Sequence, residues 1–365
     1  MPASKEKNGT WRARFYYTDY TGRRRETQKR GFPTKKDALE YEREFLQKSE
    51  FNIEMNFKSL CELYFQDLST RIKESTFHVK KNIIETKLIP YFCHFKICDI
   101  TPNIIRIWQG KVLQDINPKT KKKYSQTYIK SLNTHLTAIF NYAVNYHNLK
   151  ENPCKKAGSI GKANANEMNI WTFDEFKIFI NSKSCNDLMA KTGFNILFWT
   201  GMRIGELLAL TKEDIDFENK TIRINKTYLR LKNKDIITPP KTPKSNRIID
   251  IDDNLLLLIK EYINKLYDLK DNDRLFPVTK FFFNYRLKTG IKKTNLKEIR
   301  IHDLRHSHAS LLIHLGVNIV LISKRLGHEK VQTTLNIYSH IYPEANFGMI
   351  DKLSSISKDI NNVKK

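Results

Sequence analysis

Residues 301–316 read IHDLRHSHASLLIHLG, and residues 323–340 read SKRLGHEKVQTTLNIYSH. In the first stretch His302 and Arg305 are three positions apart, so on a helix they share one face. Leu304, Leu311, Leu312 and Leu315 supply the apolar face, and His306, His308 and His314 crowd the same segment. The His302/His306 spacing resembles that of helical zinc ligands, but the glutamate of H-E-x-x-H is missing. In the second stretch Gly327 is predicted to end a helix, which leaves His328 in the turn just after it. Tyr338 follows, past Thr333 and Thr334, in a new helix. Further upstream, LFWTGMRIGELLALTKEDID (197–216) sets Arg203 and Glu206 in a stretch otherwise built for burial, with Gly201 letting the chain turn before a helix over IGELLAL. A guanidinium at that place suits a carboxylate or a phosphate, and an Arg203–Glu206 pair at i,i+3 is the purely structural alternative.

Around these stretches the chain runs to 365 residues, enough for two or three domains. It is 40% hydrophobic and 28% charged, so it can build real cores. No apolar run approaches the roughly 18–20 residues that span a bilayer. The first residues, MPASKEKNGTWRARF, hold no apolar signal segment, and the odd, scattered set Cys61, Cys93, Cys98, Cys154 and Cys185 reads as reduced thiols. Both point to a cytoplasmic protein. Cys93, His94 and Cys98 lack a second ligand pair at zinc spacing, so no metal is expected there. The net charge is +25, and it is spread: +8 over residues 1–36, +9 over 51–160 and +11 over 161–365. Such an excess points to a polyanion, since each neutralised phosphate releases condensed counterions. Its distribution points to several modules facing nucleic acid.

Residues 9–32 carry the period-2 alternation of a strand in WRARFYY, a turn at Asp19–Gly22 and a returning strand over 23–31. Thr34, with Asp37 three positions on, is the expected N-cap of a helix. The outcome is a small sheet backed by a helix, its strands interleaving Arg12, Arg14, Arg23, Arg24, Arg25 and Arg30 with aromatic rings. A two- or three-stranded ribbon of this kind fits a major groove. Residues 55–160 read as a bundle of four or five helices: one ends near Pro90, another starts at Thr101-Pro102, and the last closes at Asn152-Pro153. AGSIGKANANEMN (157–169) has the composition of a linker, and Thr172 is the expected cap of a new helix. Beyond it TIRINKTYLRL and NRIIDI have strand character, and KNKDIITPPKTPKS between them reads as a turn around its prolines. From Lys297 helices dominate again.

Taken together, Arg203, a lysine in the hairpin PPKTPKSNRIIDI, H-x-x-R, L-G-H and T-T-x-x-x-Y resemble, in order and spacing, the tyrosine recombinases, the phage-integrase family. The resemblance covers most of the chain. It implies a multidomain protein: a three-stranded arm-type DNA-binding domain over 1–50, an all-α core-site DNA-binding domain over 55–160, a mainly α catalytic domain with a small β-sheet over 165–350, and a tail over 351–365. It implies that Arg203 and Arg305 clamp the scissile phosphate, that His302 and His328 bond its oxygens, with His302 the better-placed base, and that Tyr338 is the nucleophile. The family's lysine matches Lys241 better than Lys244. The implied activity is site-specific recombination that integrates and excises a mobile element through a 3′-phosphotyrosine, without cofactor, ATP or metal. Implied partners are duplex attachment sites of core and arm type, further copies of the chain in a tetramer, an excisionase and a host DNA-bending protein, with no membrane involved. The rival readings are a catalytically inactive DNA-binding regulator, a type IB topoisomerase-like relaxing enzyme and a chromosome-dimer resolvase.

Overall fold

Strand β1 (Ala3–Lys5) pairs antiparallel with β2 (Trp11–Thr18), and β2 with β3 (Arg24–Phe32). These strands open a computed structural model that describes residues 3–18, 24–50, 55–118, 120–163, 169–240 and 243–338. Alternation along β2 turns Ala13 and Phe15 to one face, where they are buried with Ala3 and with Ala38 of α1 (Lys35–Glu50). Rings of Phe45 and Phe15 meet edge to face at 5.1 Å. Thr34 and Asp37 cap α1 reciprocally, each accepting the other's backbone N–H. Arg12 and Arg14 extend from the opposite face, and the register sets Arg24 there too, its guanidinium 4.4 Å from the centre of the Tyr16 ring. Arg25 is opposite Tyr17, on the helix-covered side. Arg23 and the turn at 19–22 lie outside the described residues.

The helical part comprises α2 (Phe57–Arg71), α3 (Glu74–Ile83), α4 (Ile89–Phe92), α5 (Pro102–Gln114), α6 (Gln126–Tyr146) and α7 (Pro153–Ala157). Asn56, Thr101 and Ser125 cap α2, α5 and α6 through their side-chain oxygens. A π turn over Ile84–Leu88 joins α3 to α4, with the Ile89 N–H reaching back to the Ile84 carbonyl. This wider turn takes Pro90, which has no N–H to give, into the first turn of α4. Asn152-Pro153 does not close α6, contrary to the expectation from sequence. That helix stops at Tyr146, and Asn148 takes a left-handed conformation (φ 54°). Asn152 instead caps α7, while its amide ties back to the Thr137 carbonyl and Asn141. The expected linker also begins later than its composition implies. Gly158 O accepts from the buried Gln109, Lys130 bonds Ser159, and Ile160 packs on the helical core; residues 164–168 lie outside the described set.

Contacts divide the chain into units of residues 1–166 and 167–365. The second unit starts with α8 (Phe173–Ile180), capped by a Thr172–Glu175 box. It continues through α9 (Leu188–Thr200), α10 (Ile204–Leu207), β4 (Ile215–Asp216), β5 (Thr221–Ile224), β6 (Thr227–Leu231), β7 (Lys234–Thr238) and β8 (Arg247–Asp250). Then come α11 (Asp253–Asn264), α12 (Lys280–Thr294), α13 (Asp303–His314), α14 (Ile319–Leu326) and α15 (Val331–Tyr338). Its core is rich in aromatic rings, with Phe176 stacked on Phe198 at 3.9 Å. Two expectations need correction, and the strand character of TIRINKTYLRL gains detail. The helix over IGELLAL is a single turn, 204–207, before the chain leaves helical geometry. TIRINKTYLRL is two strands in different sheets: β5 lies between β4 and β8, while β6 pairs with β7. KDIIT, read as part of a turn, is the strand β7, and Pro239-Pro240 follow it at a place where no ladder N–H is needed.

Candidate active site

Glycine makes the centre of this site possible. Gly201 ends α9 in a left-handed conformation (φ 64°), and a Cβ there would sit 2.7 Å from the His308 ring and 2.8 Å from Leu326. The close approach brings the end of α9 against α13 and α14. Arg305, 2% exposed on α13, then donates to the carbonyls of Gly201 (2.8 Å) and Leu326 (2.6 Å). Two helix C-termini thus turn their unpaired oxygens on one guanidinium. Arg203 stands at the start of α10, where its N–H and its Nη1 both donate to Glu206, at 2.9 and 2.8 Å. The structural i,i+3 pair is therefore real, but it is half of a larger arrangement. Arg247, at the start of β8, donates to both Glu206 oxygens and, through Nε, to the Arg325 carbonyl at 2.8 Å. Burial alone would raise the Glu206 pKa; Arg247 and then Arg203 outweigh it and hold the carboxyl below its usual range. Burial, and then the like charges of Arg203 and Arg247, lower the pKa of Arg305. Two guanidiniums are paired with one carboxylate, and the third, Arg305, rests on carbonyls.

Gly327 ends α14 with φ 68°, and His328 follows in the turn, its Nδ1 2.8 Å from Thr334 Oγ1. Desolvation, then Arg305 and Arg203, bring its pKa down to about 3. His302 lies at the N-terminal end of α13 with an edge open to solvent. Desolvation, His306, Arg305 and Arg203 together bring it down to about 4. Tyr338, 2% exposed, packs on Ala309, Ile313, Ile322 and Leu326. Burial pushes its phenol pKa up. Its hydroxyl lies 2.6 Å from Nδ1 of His306. The ring at the phenol is thus His306; His302 stacks edge to face on His306 at 5.1 Å. Arg203, His302, Arg305, His328 and Tyr338 are brought together by this scaffold. Lys241 lies outside the described residues; Lys244 donates to the Glu329 carbonyl at 3.0 Å. Among the described residues no group of three or more His, Cys, Asp or Glu is placed to hold a metal, and no helix is long and apolar enough to cross a membrane.

Sequence reasoning missed Arg247, which is 41 positions from its carboxylate and looks like one more strand cation. It also passed over Arg325, whose guanidinium binds His308 Nε2 (3.2 Å), the Asp250 carbonyl and the Trp199 carbonyl, joining α14, α13, β8 and α9. His308 is 2% exposed, and burial, then Arg325 and Arg305, bring its pKa down to about 3. A histidine has a pKa near 6.5 when free. The unfolded chain therefore takes up this proton first as pH falls, and the stability of neutral His308 is complete above about 6.5 and lost toward 3. Denaturation midpoints are expected to fall steadily from pH 7 to pH 4, and a midpoint that holds level over that range would contradict it.

The chain matches three family models: an arm DNA-binding domain over residues 3–49, the N-terminal SAM-like domain of phage integrases over 56–113, and the phage integrase family over 172–345. It is 31% identical over 376 residues to the ICEBs1 integrase of Bacillus subtilis, covering 98% of this chain and 100% of that protein. It is also 31% identical to a XerC-like tyrosine recombinase of Caldanaerobacter subterraneus, over 64% of this chain and 67% of that one. Among solved structures, the Tn1549 transposon integrase in complex with circular intermediate DNA shares the fold with a TM-score of 0.66 at 21% identity, over 80% of this chain and 99% of that one. A lambda integrase dimer bound to a core site does so at 0.61 and 15% identity, over 92% and 94%. With the relative matched from end to end, and the integrase model spanning the segment from Arg203 to Tyr338, this chain belongs to the phage integrase family of tyrosine recombinases.

Proposed function

We propose that this site-specific recombinase cuts and rejoins duplex DNA through a 3′-phosphotyrosine on Tyr338, and so integrates and excises a mobile element. The observation that carries the reading is the charge at the site: Arg203 and Arg247 are both paired with the carboxylate of Glu206, while Arg305, close enough to feel all three charges, is held by main-chain carbonyls alone. Like charges gathered here, with Arg247 and Arg305 buried and Arg203 partly open to solvent, favour an incoming anion, and a phosphodiester brings two oxygens that match a guanidinium fork. Arg203 and Arg305 bind those oxygens, with His302 and His328 as further partners. The phenol oxygen gives up its proton to a neighbouring base as it attacks phosphorus, the bond to the 5′-oxygen breaks, and that oxygen takes a proton from the lysine between β7 and β8, Lys241 or Lys244. A new 5′-hydroxyl reverses the sequence. The phosphotyrosine preserves the ester bond, so rejoining needs no ATP.

The arm-binding role of residues 1–50, the core-site role of 55–160 and the catalytic role of 165–350 belong to this proposal. So do a tetramer on DNA, an excisionase and a host DNA-bending protein; the tail from Phe347, expected to reach a neighbouring protomer, lies outside the described residues. A lambda integrase tetramer bound to a Holliday junction, similar in fold to this chain, supports the assembly. The test is a nicked duplex carrying the junction of the circularised element: the full chain is expected to form a covalent adduct, and an absent adduct would defeat the reading. A chain starting at Met55 is expected to cleave that junction and to lose binding to a separate arm sequence. Arm binding by the full chain should weaken with salt at a log–log slope of roughly −0.9 per phosphate neutralised. Replacing Arg12, Arg14 and Arg24 with alanine should flatten that slope. Full integration by the shortened chain would contradict the two-site arrangement.

A further inference from the structure

We infer that His306 is a catalytic residue of this recombinase: its Nδ1 accepts the phenol proton of Tyr338 as the phosphodiester is attacked, and returns it on rejoining. This rests on the reading above of Tyr338 as the nucleophile. Nδ1 and Oη are 2.6 Å apart, a short hydrogen bond. Among the described residues, His306 is the one partner recorded for the Tyr338 hydroxyl. A phenol has a single proton to donate, so the bond satisfies it only if Nδ1 is the bare, accepting nitrogen. Both side chains are buried, at 6% and 2% exposure, and both are fixed: His306 by its place on α13 next to Arg305, Tyr338 by its apolar packing. A base within hydrogen-bond reach of its proton meets the geometric condition for general base catalysis.

The charges around His306 suit this task. Burial lowers its pKa, Asp303 opposes that, and Arg305 and Arg300 add to it; His302 and Tyr338 complete its surroundings. The ring is therefore neutral and ready to accept at working pH. Resting transfer from a phenol whose pKa is raised is unfavourable, so the nucleophile stays protonated until substrate arrives. A phosphodiester beside Arg305 brings negative charge, which raises the proton affinity of the ring. The Oη–H bond then breaks as the O–P bond forms, the proton passes to Nδ1, the P–O5′ bond breaks, and the 5′-oxygen is protonated by the lysine. His302, with its open edge, is left to the phosphate oxygens.

The experiment is single-turnover cleavage by the full chain on a nicked junction duplex, with an ordinary phosphodiester and with a 5′-bridging phosphorothiolate. The sulfur leaving group needs no proton, so it separates the two ends of the reaction. His306→Asn and His306→Ala are expected to bind the duplex as the unsubstituted protein does and to cleave about 10²-fold more slowly, within the range of general base catalysis. The same loss is expected with the phosphorothiolate, whereas whichever of Lys241→Ala and Lys244→Ala is slowed on the ordinary duplex is expected to be rescued by it. Either substitution cleaving at the unsubstituted rate, cleaving faster because the contact had merely restrained the tyrosine, or being rescued by sulfur would overturn the assignment. An unsubstituted protein that forms no adduct at all would instead overturn the recombinase mechanism, and this role with it.

Discussion

Tyr338→Phe is expected to bind duplex DNA like the unsubstituted chain and to form no covalent adduct on a nicked substrate. The substitution removes one oxygen and keeps the ring. The packing of that ring on Ala309, Ile313, Ile322 and Leu326 survives. What is lost structurally is the bond to His306, about 1 kcal/mol of stability for a neutral pair. What is lost chemically is the nucleophile, and removing a covalent nucleophile elsewhere lowers rates by on the order of 10⁶. Tyr342, which precedes Pro343 and lies outside the described residues, is the only close competitor in the sequence. An adduct that persists in Tyr338→Phe and disappears in Tyr342→Phe would transfer the role.

Arg305→Ala has the second largest expected effect. Removing one donor from a dry, preorganised oxyanion site lowers rates by about 10²–10³, or ~3–4 kcal/mol. Here the loss is compounded, because the carbonyls of Gly201 and Leu326 lose the donor they share. Arg305→Lys keeps the charge but cannot bond both carbonyls and a phosphate in one plane. It should therefore recover only part of the rate. Binding to the duplex should change little in either variant, since one clamp contact is a small share of the phosphates a basic chain of this size engages. Single-turnover cleavage beside an electrophoretic shift measures both, and Arg305→Ala cleaving within threefold of the unsubstituted chain would contradict the clamp.

Much of this is legible in the sequence. The cap at Thr172, the helix stop at Gly327 and the position of Tyr338 follow from local rules that act over three or four residues. The strand β7 was hidden because Pro239-Pro240 draw attention to a turn that begins just after it. The split between β5 and β6 was hidden because Asn225-Lys226 do not look like a break between two sheets. Asn152-Pro153 is a helix boundary, as it reads, but it belongs to the next helix. The arginines that brace the site from behind were out of reach for another reason. Arg247 meets Glu206 and Arg325 meets Trp199 only after folding, and no periodicity relates positions that far apart. His306 was visible but had no role: its spacing from His302 matched zinc ligands without the glutamate they need, and its hydrogen-bond partner is 32 positions downstream.

The two oxygens that hold Arg305 belong to the main chain, at Gly201 and Leu326. Every residue type carries the same carbonyl, so no point substitution can delete these supports; it can only displace them by disturbing a helix end. A lineage can therefore rewrite most of the surface and much of the core around this guanidinium and still inherit its seat. A shared fold at 15 to 21% identity is compatible with such an economy of supports. The same logic marks where drift is dangerous: at Gly201 and Gly327, whose backbone angles end the helices that present those oxygens.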